Sequence, residues 1–126
     1  MSSARVLVVD DHEVVRMGLR TLLGNDPRWE VCGEAVDGYQ ACEKVADLTP
    51  DVVILDLTMP GLNGFEAGVA MRQIVPSIKI IFFSIHDIPT TARLIGGAAF
   101  VSKSSAAKDL PDALERVLRR SKTTDA

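Results

Sequence analysis

Long apolar runs are missing from this sequence of 126 residues. None approaches the ~18 residues that a membrane-spanning helix needs, so no membrane role is expected. Charge of one sign is missing as well. The formal net charge is −3, too small to imply a polyanionic or polycationic partner, and nucleic-acid binding by this domain itself is not expected. Cysteine is scarce. Cys32 and Cys42 lie in apolar stretches with no CxxC pair and no histidine at metal-ligand spacing, which leaves two buried, reduced thiols as the reading. No glycine-rich loop follows the first strand-like run, so a nucleotide or flavin site of the dinucleotide-binding kind lacks support. The N-terminal residues Met1-Ser2-Ser3-Ala4-Arg5 carry no signal-peptide pattern, and a cytoplasmic location is the expectation.

What is present is an ordinary globular composition, 47% hydrophobic and 25% charged, long enough for one self-contained core. The expected organisation is one domain over residues 1–120 and a tail or linker start over 121–126. Strand-like segments recur at Arg5–Val9, Glu30–Ala35, Val52–Leu55, Lys79–Phe83 and Ala99–Ser102. The first, third and fourth are aliphatic without polar alternation, as expected of strands covered on both faces. Between and after them, Val15/Leu19/Leu22, Ala41/Val45/Leu48, Ala67/Met71/Ile74/Val75 and Leu110/Ala113/Leu114/Val117/Leu118 repeat at helical spacing. Gly24-Asn25 and Thr49-Pro50 read as helix stops, and Asn63 or Asp109 as helix caps. Alternating strand and helix predict an α/β fold with right-handed crossovers. Five strands suit a flavodoxin-like (βα)5 doubly wound parallel sheet in the order 2-1-3-4-5.

In that order the first and third strands are neighbours, and a ligand site lies outside their carboxyl ends. Asp10 and Asp11 follow Val6–Val9, and Asp56 follows Val52–Leu55. Ser84 follows the fourth strand and Lys103 the fifth. Three carboxylates, a hydroxyl and an ammonium on one sheet edge form a set suited to phosphoryl transfer onto a carboxylate. A divalent cation offsets the phosphoryl charge, and the lysine and hydroxyl bind the remaining oxygens. Mg²⁺ suits a site with few carboxylates and room for water.

These residues resemble the receiver domain of two-component response regulators. The resemblance rests on Val8-Val9-Asp10-Asp11-His12, on Leu55-Asp56-Leu57-Thr58-Met59-Pro60-Gly61-Leu62-Asn63-Gly64, on Ser84, and on Gly97-Ala98-Ala99-Phe100-Val101-Ser102-Lys103. The segment Asp10-Asp11-His12-Glu13-Val14-Val15-Arg16-Met17-Gly18-Leu19 is most similar to the LuxR/NarL-type subfamily, whose members usually carry a C-terminal helix-turn-helix domain. The resemblance implies that Asp56 accepts a phosphoryl group from a histidine kinase. It implies that Asp11, Asp56 and the Thr58 carbonyl bind Mg²⁺ directly and that Asp10 holds it through water. It further implies that Lys103 and Ser84 bind phosphoryl oxygens and that Phe100 is a switch aromatic. Thr58 and His86 would flank the site and tune the acyl phosphate lifetime. Gly64 is expected to give backbone freedom to the loop after Asp56. A homodimer is left open, and output through a helix-turn-helix domain outside this chain is expected.

Two departures from that pattern stand out. The stretch between Ser84 and Lys103 is short for a receiver, and Ile88–Ile95, with Pro89 at its start, leaves room for about two helical turns. A shortened or irregular fourth helix is therefore expected. Ser104 stands where many receivers have a cis proline, so no cis bond is expected there.

Blander readings exist for each residue taken singly. Asp10-Asp11 can cap a helix, Asp56 a turn, and Phe100 can be an edge aromatic. Lys103 and the basic end Arg116, Arg119, Arg120 and Lys122 can be solvated. His12 and His86 read as exposed neighbours of the site rather than metal ligands, since no softer ligands accompany them. At the level of the domain, one rival is a receiver-like protein-binding module regulated without phosphorylation. Another is an aspartate-nucleophile phosphatase, which usually has a second aspartate two residues after the nucleophile, where this chain has Thr58.

Overall fold

The computed structural model describes residues 3–85 and 98–125. Its elements are β1 (Ala4–Val9), α1 (Glu13–Gly24), β2 (Trp29–Ala35), α2 (Gly38–Leu48), β3 (Val52–Asp56), α3 (Gly64–Ile74), β4 (Lys79–Ser84), β5 (Ala98–Ser102) and α4 (Ala106–Asp125). A 3-10 turn, Lys103–Ser105, leads from β5 into α4. The strands form one parallel sheet in the order β2-β1-β3-β4-β5, as the alternation predicts. Each strand matches its expected segment to within a residue or two.

The period of two along each strand divides the core between the two faces of the sheet. Val6, Val8, Val52, Ile54, Ile81, Phe83, Ala99 and Val101 pack against Leu19 and Leu23 of α1 and Leu110, Leu114 and Val117 of α4. Leu7, Val9, Val53, Leu55, Ile80 and Phe82 pack against Ala41 and Val45 of α2 and Ala67 and Met71 of α3. Every residue of β3 is buried, because β3 has a strand on either side and helices on both faces. At roughly 25 cal/mol per Å², these two aliphatic layers are the main source of stability. In α1 it is Leu23, not Leu22, that is fully buried with Leu19, while Leu22 packs at the margin.

Helix ends follow local chemistry. Asn63 caps α3 in a reciprocal box with Glu66, accepting from its N–H at 2.9 Å. Asp37 caps α2, its carboxylate accepting from Gln40 N–H at 2.8 Å. Thr49 ends α2 in the left-handed region, at φ 42°. Asp109 does not start a helix: it lies in the first turn of α4, where its carboxylate accepts from Ser105 Oγ at 2.7 Å, and Ser102 precedes the 3-10 turn instead. Cys32 is the extra residue of a β-bulge on the edge strand, since Val6 pairs with Val31 and Leu7 with Gly33. Both thiols are half-buried rather than buried, and burial pushes each above the usual thiol range. The expected short segment Ile88–Ile95 lies outside the described residues. Among the described residues no peptide bond is cis, Lys103–Ser104 included. No helix among them is long and apolar enough to cross a membrane.

Candidate functional site: an acidic edge of the sheet

Register builds the site. Val9 pairs with Leu55 across β1 and β3, so the residues that follow, Asp10 and Asp56, stand side by side at the carboxyl edge. Asp56 pairs with Phe83, and Ser84 with Ser102, so Ser84 and Lys103 continue the same edge on β4 and beyond β5. This is the point where the connections run to opposite faces of the sheet, the usual ligand position in this architecture.

Asp10, Asp56 and Ser84 are the buried polar residues of the described chain. Asp10 Oδ1 accepts from the His12 N–H at 2.9 Å, and Asp10 Oδ2 accepts from Lys103 Nζ at 2.7 Å. Asp10 therefore serves the site and not a helix cap; α1 begins after His12 with no side-chain cap. Lys103 reaches Asp10 from β5 by crossing the ring of Phe83, with Nζ 5.6 Å from its centroid. Asp56 Oδ1 accepts from the Thr58 N–H at 3.0 Å. Asp56 Oδ2 lies 3.5 Å from Lys103 Nζ, within ion-pair range but too far for a hydrogen bond. Burial pushes the Asp56 carboxyl above the usual carboxylate range. The Thr58 N–H opposes that shift, Asp10 adds to it, Lys103 opposes it and Asp11 adds a little more.

His12 Nδ1 lies 3.1 Å from Asp10 Oδ1 and 3.2 Å from Asp11 Oδ1, the second without hydrogen-bond alignment. His12 is exposed, as expected, yet one ligand atom each from Asp10, Asp11, His12 and Asp56 fall within 4.8 Å of one another. Two buried carboxylate oxygens in this group, Asp11 Oδ1 and Asp56 Oδ2, have no hydrogen-bond partner among the described residues. Such atoms are unfavourable unless a donor or cation meets them. Hard oxygen donors with excess negative charge fit Mg²⁺ by both charge and ligand type.

Phe100 is half-buried and stacks on Phe82 with centroids 5.6 Å apart and planes inclined by 18°. Gly64 differs from expectation. Its φ is not positive; the positive φ in this loop is that of Gly61, at 76°. Gly64 is required by space, because a Cβ there would lie 2.3 Å from the Asp56 carbonyl oxygen and 2.6 Å from Leu57 Cα. The first turn of α3 presses directly against the backbone of the site. His86 lies outside the described residues. Sequence reasoning gave no role to Arg16, whose Nη1 donates to the Asp10 carbonyl at 2.7 Å, or to its partner Glu34. The signal was Arg16 on the first helix, one turn past the acidic pair, but a pairing with β2 is invisible before the fold is known.

An open, doubly wound parallel sheet with a carboxylate cluster and a lysine at its switch point defines a flavodoxin-like α/β domain built around a charged edge site. The chain belongs to the response regulator receiver domain family, whose model matches residues 6–115. It is 35% identical over 118 residues to the response regulator protein VraR of Staphylococcus aureus, a match covering 91% of this chain and 56% of that protein. The chain thus spans about half the length of the curated relatives it matches. A two-component response regulator of the LuxR family from Aurantimonas sp. SI85-9A1 superposes with a TM-score of 0.87 at 37% identity, over 94% of this chain and 86% of that one. The signal receiver domain of the response regulator NarL from Mycobacterium tuberculosis does so with a TM-score of 0.82 at 32% identity, over 97% of this chain and 98% of that one. The LuxR/NarL-type likeness expected from the Asp10–Leu19 segment holds in these relatives.

Proposed function

We propose that this receiver domain is a phosphorylation-controlled switch in which Asp56 is the phosphoryl acceptor. The observation that carries the reading is Asp56 Oδ2: buried, without a hydrogen bond among the described residues, 3.5 Å from Lys103 Nζ and on a residue clustered with Asp10 and Asp11. In the transfer, Asp56 Oδ2 attacks the phosphorus of a phosphohistidine on a histidine kinase. The new P–O bond forms as the P–N bond breaks, and the imidazole leaves with the bonding pair and takes up a proton. The Thr58 N–H fixes the other carboxylate oxygen and so orients the attacking one. Hydrolysis returns the site: water attacks the phosphorus and the Asp56 carboxylate departs.

Asp11, Asp56 and the Thr58 carbonyl would hold Mg²⁺ directly and Asp10 through water. Bound there, Mg²⁺ would supply the charge that offsets the phosphoryl oxygens. Lys103 Nζ, already 3.5 Å from Asp56 Oδ2, takes one phosphoryl oxygen, and Ser84 at the tip of β4 takes another. Thr58 tunes the lifetime of the acyl phosphate and His12 flanks the site; for His86, outside the described residues, the same tuning part rests on the family resemblance alone. The phosphoryl group shifts the conformational balance only by its differential affinity for the two states. Ser84 and the Phe82–Phe100 stack are the elements that carry the shift to the β5 edge of the sheet, on the face opposite α4.

The kinase, a helix-turn-helix output elsewhere in a longer regulator, a homodimer and a cytoplasmic setting belong to this reading, with residues 121–126 leading into the linker. The length of VraR relative to this chain supports it. The test is intact mass after incubation with Mg²⁺ and acetyl phosphate. One phosphoryl adduct, absent without Mg²⁺ and absent in Asp56→Asn, is expected; an adduct that persists in Asp56→Asn contradicts the assignment.

A further inference from the structure

Asp10 has more than its side chain in the site. Its N–H donates to the Ala35 carbonyl at 3.1 Å, and its carbonyl accepts from Arg16 Nη1 at 2.7 Å. β1 ends at Val9, so a guanidinium from α1 takes over where the sheet ladder stops. Arg16 is itself held: its Nε donates to Glu34 Oε1 at 3.0 Å, and its side chain is only 14% exposed. Glu34 lies on β2 in register with Val8, and its other oxygen accepts from Arg20, one turn further along α1.

This arrangement does two physical things. It anchors the backbone of the Asp10–Asp11 turn to both α1 and β2. It also neutralises a cation that would otherwise stand beside three carboxylates and oppose a dication. Arginine is the suitable residue because its planar fork bonds a carbonyl and a carboxylate at once, which a lysine cannot match.

We infer that Arg16, held by Glu34, is a positioning residue for the divalent-cation site: it fixes the Asp10–Asp11 turn so that Asp11 Oδ1 stays buried beside Asp56. The inference rests on the reading of this edge as a Mg²⁺ site. Without the anchor, the turn exchanges with conformers in which Asp11 faces water, and binding must first restore the buried one.

Calorimetric titration of Mg²⁺ into the wild type, Arg16→Gln, Arg16→Lys and Arg20→Gln, with metal-free thermal unfolding of each, tests this. Arg16→Gln raises the dissociation constant about tenfold, the range typical of lost support to metal ligands. Arg16→Lys recovers part of the loss. Arg20→Gln removes equal charge and the other partner of Glu34 without touching Asp10, and binds Mg²⁺ no more weakly than the wild type. If Arg16→Gln does not fold, Arg16→Lys against Arg20→Gln makes the same comparison. Unchanged affinity in the Arg16 variants overturns the inference alone, and so does an equal loss in Arg20→Gln. A wild type that binds no Mg²⁺ overturns the inference together with the reading beneath it.

Discussion

Lys103 is bonded to Asp10, not to Asp56: its Nζ is 2.7 Å from Asp10 Oδ2 and 3.5 Å from Asp56 Oδ2. The lysine from beyond β5 thus compensates a fully buried carboxylate on the far side of β3 while standing within reach of the proposed acceptor, Asp56. One ammonium serves two purposes. It makes the acidic edge tolerable in the fold, and under the proposed function it is in place for the phosphoryl charge on Asp56.

The first purpose has a measurable consequence. Lys103→Met leaves Asp10 with the His12 N–H but no cation, and a buried charge stripped of its partner is strongly unfavourable. Urea unfolding without metal should show a loss of about 3 kcal/mol. Saturating Mg²⁺ should restore part of it, because a dication supplies the missing charge and binds only the folded form. A loss that Mg²⁺ does not reduce would separate Lys103 from the electrostatics of the site.

Asp56→Asn should stabilise the metal-free domain at neutral pH. Burial holds the Asp56 carboxyl above its ordinary range, so the native state binds its proton more tightly than the unfolded chain does. By linkage, stability then falls as pH rises from the unfolded carboxylate range through the raised native value. Asparagine keeps the acceptor for the Thr58 N–H and drops the charge. The expected gain at pH 7 is about 1 kcal/mol, or roughly 4 °C in melting temperature, and it should vanish at acid pH where Asp56 is protonated in both states. Thermal melts of both proteins across pH in chelator check this.

Gly64→Ala should destabilise, against the usual sign for a helical glycine. Alanine in a helix ordinarily gains about 1 kcal/mol over glycine. Here the added Cβ meets the Asp56 carbonyl oxygen at 2.3 Å and Leu57 Cα at 2.6 Å, both backbone atoms with no rotamer to change. A net loss of about 2 kcal/mol is expected. Because relief requires moving the Asp56 backbone, Mg²⁺ affinity should fall with it. Calorimetric titration and denaturation together report both.

Much of this was legible in the sequence, and the parts that were not share a cause. Aliphatic strand cores and helical stripes gave the sheet order, because strands buried on both faces carry no polar residues to blur the pattern. Asp10, Asp11, Asp56, Ser84 and Lys103 were legible because each ends or follows a strand, and strand ends in a parallel sheet share one edge. Pairings across elements were not. The Lys103–Asp10 bond spans 93 positions in sequence, and the Arg16–Glu34 pair joins a helix to an edge strand. Gly64 was singled out for the wrong reason: composition suggests conformational freedom, while only the packing of α3 on Asp56 reveals a missing Cβ as the requirement. Asp109 looked like a cap because nothing local announces that a 3-10 turn starts the last helix earlier.

The most direct test of the account is to locate the phosphoryl group chemically. The wild type is incubated with Mg²⁺ and acetyl phosphate and reduced with borohydride, which converts an acyl phosphate on aspartate to homoserine, and the peptides are then sequenced by mass spectrometry. The account predicts conversion at Asp56 alone, dependent on Mg²⁺. Conversion at Asp10 or Asp11 instead, or none under conditions where the intact mass shows an adduct, would contradict it.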